Sequence, residues 1–262
     1  MVDLSEALVW KQLRSQGLKM FWMPVFLSVV FVGITVLSLQ SPQSLTSTTQ
    51  GSLQQIVELY FGDIDNRYAF GVALFVIQGP YLLATFSGIL GINAGQRMSS
   101  ELIESGQFEL LLSSPFSPRQ VFVSLLVGTT LLTLLHTVVF GVIAIGIPLV
   151  YLLTLGAQLG AQINGVLFVA FILPIPTAVW ANLVVILGAM GIGGDLFEGA
   201  EDAFAIFGLI PGAALLLLIN FYPRTNLVLL ATASIVAILC LIAVCSYWVT
   251  TRFRAEDILP ST

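Results

Sequence analysis

The sequence carries little charge, few lysines and almost no histidine or cysteine. Only 9% of its 262 residues are charged, against roughly a quarter in an ordinary soluble domain. Its two lysines, Lys11 and Lys19, follow Trp10 and Leu18, so neither completes the glycine-rich loop that holds nucleotide phosphates. A single histidine, His136, and two cysteines five residues apart cannot supply a metal-ligand set. We therefore expect no catalytic residues and no metal site, and the net charge of −5 disfavours nucleic-acid binding.

Long apolar runs dominate the rest of the chain, which is 57% hydrophobic. The runs are continuous, whereas the strands of a membrane β-barrel alternate, so helices are the expected spanning structure. The sequence predicts an all-α membrane protein with six transmembrane helices, at residues 21–39, 69–92, 121–153, 165–190, 204–221 and 227–250. The third run exceeds the ~20 residues that a bilayer core requires. We expect it to be tilted, or broken near Gly146 and Pro148.

The chain reads as an amphipathic lead-in followed by one membrane domain. Residues 1–19 mix apolar and charged positions as an interfacial helix does, and residues 20–262 contain the six predicted spans. With both termini inside, only Arg67 and Arg224 of the nine basic residues lie outside. This bias predicts that the N- and C-termini are cytoplasmic. The acidic loop at 191–203, with no basic residue, would be cytoplasmic as well.

Residues 97–120, RMSSELIESGQFELLLSSPFSPRQ, form a polar island between two apolar runs. Ser99 or Ser100 is placed to N-cap a short helix that has two glutamates in its first turn. Pro115 would end that helix, and Ser117 would cap the next one, followed by a proline and, three residues after the cap, a glutamine. The helix would turn an apolar face to lipid or protein, formed by Leu102, Ile103, Leu110 and Leu111.

Polar residues inside the predicted spans are few. All fourteen carboxylates lie outside the apolar runs or at their ends, which argues against proton-coupled transport. Gln78, His136 and Asn182 are either hydrogen-bonded packing residues between helices or parts of a transport pathway, and the sequence allows both. Glycines spaced four apart also predict close helix contacts, at Gly91 and Gly95, Gly156 and Gly160, and Gly208 and Gly212.

The polar island resembles the type-2 ABC exporter permeases, the membrane subunits that work with separate ATPase chains. That family shows the pattern E-x-x-x-G-x-x-E-L-L-L-x-[ST]-P-x-S after its second span. The resemblance rests on Glu101, Glu104, Gly106, Glu109, Leu110, Leu111, Leu112, Ser113, Ser114, Pro115 and Ser117. Leu102 stands where the pattern begins with Glu, and the family commonly carries basic residues where this chain has the acidic loop.

The resemblance implies a half-transporter in a prokaryotic plasma (inner) membrane. Two copies, or this chain and a related one, would pair in the lipid and dock two ATPase chains. The segment 97–117 would be the cytoplasmic coupling helix, while ATP and Mg²⁺ would be bound by the ATPase and no cofactor by this chain. Short external loops favour export of a lipophilic or amphipathic substrate. The alternative is an ATP-independent channel, or a membrane scaffold or assembly protein.

Overall fold

A computed structural model describes residues 6–7, 9–11, 14, 17–40, 68–113, 116–156, 158, 160, 163–189, 201–221 and 227–252. Within these ranges every regular element is helical and none is a strand, so the all-α prediction is confirmed. A 3-10 helix, Gly17–Phe21, precedes the α-helices. The α-helices are α1 Trp22–Gln40, α2 Ala69–Ile77, α3 Gly79–Glu104, α4 Gln107–Leu112, α5 Pro118–Thr154, α6 Ile163–Ile172, α7 Pro174–Ala189, α8 Glu201–Phe221 and α9 Leu227–Arg252.

Four stretches of the described chain are long and apolar enough to cross a membrane: Lys19–Leu39, Arg119–Thr154, Ile163–Gly188 and Val228–Tyr247. A shorter apolar stretch, Phe204–Leu218, lies in α8. The chain is therefore a membrane protein. The predicted N-terminal helix is described only in part, and residues 6–7, 9–11 and 14 are helical. The predicted external loop at 41–67, the core of the acidic loop at 190–200 and the tail at 253–262 lie outside the described residues.

Prolines set several helix boundaries. The predicted second span is divided at Gln78 between α2 and α3, next to Pro80, which has no backbone N–H to continue the α2 ladder. The predicted fourth span is likewise divided at Leu173, and Pro174 occupies the first position of α7, where a missing N–H costs nothing. Proline therefore interrupts two of the predicted spans.

The third span was expected to be tilted or broken near Gly146 and Pro148, and the structure contradicts only the break. Helix α5 runs without interruption through Gly146 and Pro148 for 37 residues. At 1.5 Å per residue it is about 55 Å long, well beyond the ~30 Å hydrocarbon core of a bilayer. Helix α5 must therefore tilt in the membrane, extend past it, or both. Helix α8 also begins earlier than predicted, at Glu201, inside the stretch expected to be an acidic loop.

Helices α3 and α7 cross at backbone contact in the centre of the bundle. A Cβ atom on Gly91 would overlap the Ala178 carbonyl oxygen, and one on Gly95 would lie 3.0 Å from the Asn182 amide oxygen. The predicted glycine contact at 91 and 95 is thus confirmed, and Gly208 and Gly212 in α8 similarly approach the backbone of α7 and α3. The third predicted pair is wrong, because its first glycine, at 156, lies after the end of α5 with φ +88°.

Candidate functional site

Helix α3 carries the start of the polar island. The predicted N-cap at Ser99 or Ser100 is wrong, because α3 continues through both residues to Glu104. Ser99 is buried and its hydroxyl donates to the Gly95 carbonyl oxygen at 2.7 Å, the bond that serine makes inside a helix. Glu101 and Glu104 therefore lie in the last turn of α3, where the negative end of the helix dipole disfavours them.

Gly106 forms the turn between α3 and α4. Its φ of +67° is in the left-handed region that glycine adopts without strain, as in the usual C-terminal cap of a helix. The Ser105 N–H donates to the Glu101 carbonyl oxygen at 3.1 Å, and the Leu110 N–H donates to the Gly106 carbonyl oxygen at 3.3 Å. The glycine that the resemblance singled out therefore has a local structural role: it separates α4 from α3.

Ser117 begins α5 as predicted. Its hydroxyl accepts the Gln120 N–H at 3.3 Å, while its own N–H donates to the Gln120 side-chain oxygen at 2.8 Å. This reciprocal pair is a capping box, with Pro118 at the first helical position. Both ends of the segment that contains α4 are thus fixed by local hydrogen bonds.

One side of the segment is held by a buried apolar cluster, which we call the anchor cluster. Its members come from α3, α5 and α7: Met98, Leu102, Phe122, Leu125, Leu183 and Ile186. Leu111 of α4 packs against it, as do Ile242 and Cys245 of α9. Leu110, the next residue along α4, is instead 69% exposed. The predicted single apolar face is therefore divided, since Leu102 and Leu111 point inward and Leu110 points outward.

Lys11 joins the N-terminal helical residues to this segment. Its ammonium nitrogen lies 3.4 Å from a carboxylate oxygen of Glu101 and donates to the side-chain oxygen of Gln107 at 2.5 Å. The cation thus bridges the end of α3 and the start of α4, and it offsets the unfavourable charge at the α3 terminus. Sequence reasoning missed this contact, because no local pattern pairs residues 96 positions apart.

The structure describes only some of the remaining residues of the predicted coupling motif. Ser113 is exposed and its hydroxyl donates to the Leu110 carbonyl oxygen at 3.0 Å. Glu104 and Glu109 lie in α3 and α4, but their side chains are outside the described part of the structure, as are the side chains of Ile103 and Leu112. Ser114 and Pro115 are outside it altogether.

The three candidate pathway residues occupy different places in the bundle. Gln78 lies between α2 and α3, where its carbonyl oxygen accepts the Tyr81 and Leu82 N–H groups at 3.1 and 2.9 Å. His136 of α5 is buried, its ring meets Phe21 edge-to-face at 5.9 Å between centroids, and its Nε2 has no hydrogen-bond partner among the described residues.

Asn182 of α7 is the most polar group at the centre of the bundle. It is fully buried, and its amide nitrogen donates to the Thr129 and Thr130 hydroxyls of α5 at 3.0 and 3.2 Å. These bonds join two helices, as the packing interpretation of this residue requires.

The chain matches no protein-family model, no curated protein and no solved structure. Among the described residues, no group of three or more histidine, cysteine, aspartate or glutamate side chains is placed to hold a metal ion. The two cysteines, Cys240 and Cys245, are free thiols on α9.

Proposed function

We propose that this chain is the permease subunit of a type-2 ABC exporter, and that residues 97–120 couple it to a separate ATPase chain. In this proposal the chain has six spans and cytoplasmic termini, and it pairs with a second copy or a related permease in a prokaryotic plasma (inner) membrane. Two partner ATPase chains bind ATP and Mg²⁺. The exported substrate is lipophilic or amphipathic, and membrane lipid surrounds the pair.

The observation that carries the proposal is the orientation of α4. A short helix fixed by a glycine turn at one end and followed by a capped helix at the other presents Leu110 outward, while its neighbour Leu111 packs on the anchor cluster. A leucine held in this way suits insertion into a groove on a partner, where its burial contributes roughly 1.5–3 kcal/mol. Phe116, 43% exposed just before the cap of α5, extends the same apolar character.

The anchor cluster would transmit movement to the spans from the exposed apolar side of α4, which carries Leu110 and which we call the α4 docking surface. Leu111 of α4 contacts a cluster that includes residues of α3, α5 and α7. Because close-packed interiors transmit displacement, movement of α4 with an ATPase would move the ends of these three helices together. A loop that only connects two spans requires neither this packing nor an outward apolar side chain.

The test is purification of the tagged full chain in mild detergent, with the partner ATPase chains co-expressed, followed by intact-complex mass measurement. We expect two copies of the chain with two ATPase chains from the wild type. Leu110→Glu should lose the ATPases, because it places a carboxylate in the proposed groove contact. It should not unfold the permease, because Leu110 is already exposed.

Thr251→Glu is the matched control. Thr251 is exposed at the end of α9, which lies on the same membrane side in the proposed topology, and its substitution adds the same charge far along the chain from α4. We expect this variant to retain both ATPases. A wild-type chain that purifies without any ATPase would contradict the proposal and favour the channel or scaffold alternative.

A further inference from the structure

A cavity of about 150 Å³ lies between α3, α5 and the junction of α6 with α7. Its lining includes Ser87 of α3, Thr137 of α5, and Ala170 and Ile172 at the end of α6. No charged side chain is among its lining residues. No residue of α4 lines the cavity, so a ligand there is independent of the proposed ATPase contact.

Two hydroxyl groups in this cavity are buried without partners. Ser87 is fully buried and Thr137 is 4% exposed, and neither hydroxyl oxygen has a hydrogen-bond partner among the described residues. Ser99 of α3 and Thr129 of α5, which are also buried, instead donate to a carbonyl oxygen of their own helix. Thr133 of α5, which does not line the cavity, is a third buried hydroxyl without a described partner. Buried hydroxyls almost always find a partner, so the two that line the cavity point to a molecule that occupies it.

The end of α6 adds two carbonyl oxygens that lack their helical donors. The Val169 carbonyl accepts the Leu173 N–H at 2.9 Å, which continues the ladder by one residue. The next donors along the chain are interrupted by Pro174 and Pro176, which have no N–H, so the carbonyls of Ala170 and Ile172 lose the donor four residues ahead. Both residues line the cavity. The backbone of α6 therefore cannot satisfy these two carbonyls through the α-helical ladder alone.

The mouth of the cavity opens on an apolar surface. Val138, Phe171 and Ile172 line it and are all exposed on the outside of the bundle. An apolar molecule can therefore reach the cavity from the lipid side, and the Ser87 and Thr137 hydroxyls lie buried in the cavity wall. A cavity of this volume holds a ligand about the size of benzene, so the occupant has roughly four to six carbon atoms inside it.

We propose that this cavity binds the hydroxyl end of a small neutral alcohol that enters from the membrane. The alcohol hydroxyl accepts a hydrogen bond from one of the Ser87 and Thr137 hydroxyls and donates to the other. The aliphatic body lies among the apolar lining residues. The lack of charge at the site excludes a preference for an anionic or cationic group.

The experiment is photolabelling of the full chain in lipid nanodiscs with a short aliphatic diazirine alcohol, compared with the diazirine alkane of the same length. Labelled residues are mapped by mass spectrometry. We expect the alcohol to label the cavity-lining residues about five- to tenfold more than the alkane, which corresponds to about one net hydrogen bond. Excess 1-butanol should compete with the alcohol label.

The deciding variant is the double substitution Ser87→Ala with Thr137→Val, which removes both hydroxyls and nearly preserves the cavity volume. It should abolish the preference for the alcohol while retaining the alkane label, which shows that the cavity is still folded. The matched control, Ser38→Ala with Thr232→Val, removes hydroxyls that donate to their own helices and should keep the preference. Equal labelling by both probes in the wild type, a preference that survives the double substitution, or no cavity label at all would overturn the proposal.

Discussion

Gly106 is the residue whose substitution tests the turn between α3 and α4 most directly. Its φ of +67° costs an alanine about 1–2 kcal/mol relative to glycine, because a Cβ atom in the left-handed region crowds the neighbouring carbonyl oxygen. Among the described residues beyond its two chain neighbours, no atom lies within 4 Å of the position that the new Cβ would take, so described packing adds nothing to this cost. Gly106→Ala should therefore destabilise the turn by about 1–2 kcal/mol through backbone strain alone.

The effect should appear as local opening of α4. A cost of 1–2 kcal/mol raises the opening equilibrium roughly 5–30-fold, and hydrogen exchange of the α4 amides, including the Leu110 N–H, should accelerate by that factor. Exchange in α7 should not change. Asparagine tolerates the left-handed region better than alanine, so Gly106→Asn should give a smaller acceleration.

Gly146→Ala is the matched control for Gly106→Ala. Gly146 lies inside α5, and a Cβ there would also have no atom within 4 Å. The same chemical change should therefore stabilise the protein by about 0.5–1 kcal/mol, because alanine is the better helix residue. The two substitutions should therefore change stability in opposite directions, with Gly106→Ala destabilising and Gly146→Ala stabilising. Unchanged α4 exchange in Gly106→Ala would refute the assigned turn.

Two further predictions concern the interior of the bundle. Gly91→Ala should strongly lower the midpoint temperature of thermal unfolding, because its Cβ would overlap the backbone of α7. Gly88→Ala is the control and should have little effect, because its Cβ would lie 3.4 Å from a leucine methyl group. Equal midpoints for the two variants would contradict the α3–α7 contact. His136→Leu should leave the midpoint unchanged or raised, since it removes a buried nitrogen without a described partner, and it should preserve transport. Lost transport with normal thermal unfolding would instead place His136 on a pathway.

Local features of this fold could be predicted because their causes are local. The capping box at Ser117 depends on residues within three positions of one another, and the interruption beside Pro174 depends on a missing N–H. Composition alone indicated helices in a membrane. The predicted cap at Ser99 failed because a serine satisfies its hydroxyl equally well inside a helix, by donating to the carbonyl oxygen four residues back.

The contacts that define the candidate site could not be predicted, because they join distant parts of the chain. The sequence does not indicate that Lys11 meets Gln107, or that Leu110 is exposed while Leu111 packs against the anchor cluster. The cavity beside Ser87 could not be predicted for the same reason, because it forms where α3, α5 and the junction of α6 with α7 meet. The six-span count stays a prediction, as four stretches of the described chain meet the length and hydropathy expected of a span.

The packing of the bundle indicates where movement driven from α4 would be absorbed. Helices α3 and α7 touch through backbone at Gly91, and side chains of both belong to the anchor cluster, so displacing one displaces the other. They would move as one unit. Helix α9 contacts the anchor cluster through Ile242 and Cys245, but much of its surface is exposed and apolar, as at Val236 and Val244. A sliding boundary costs least where contacts within the chain are fewest, so we expect the relative movement to lie between the α3–α7 unit and α9.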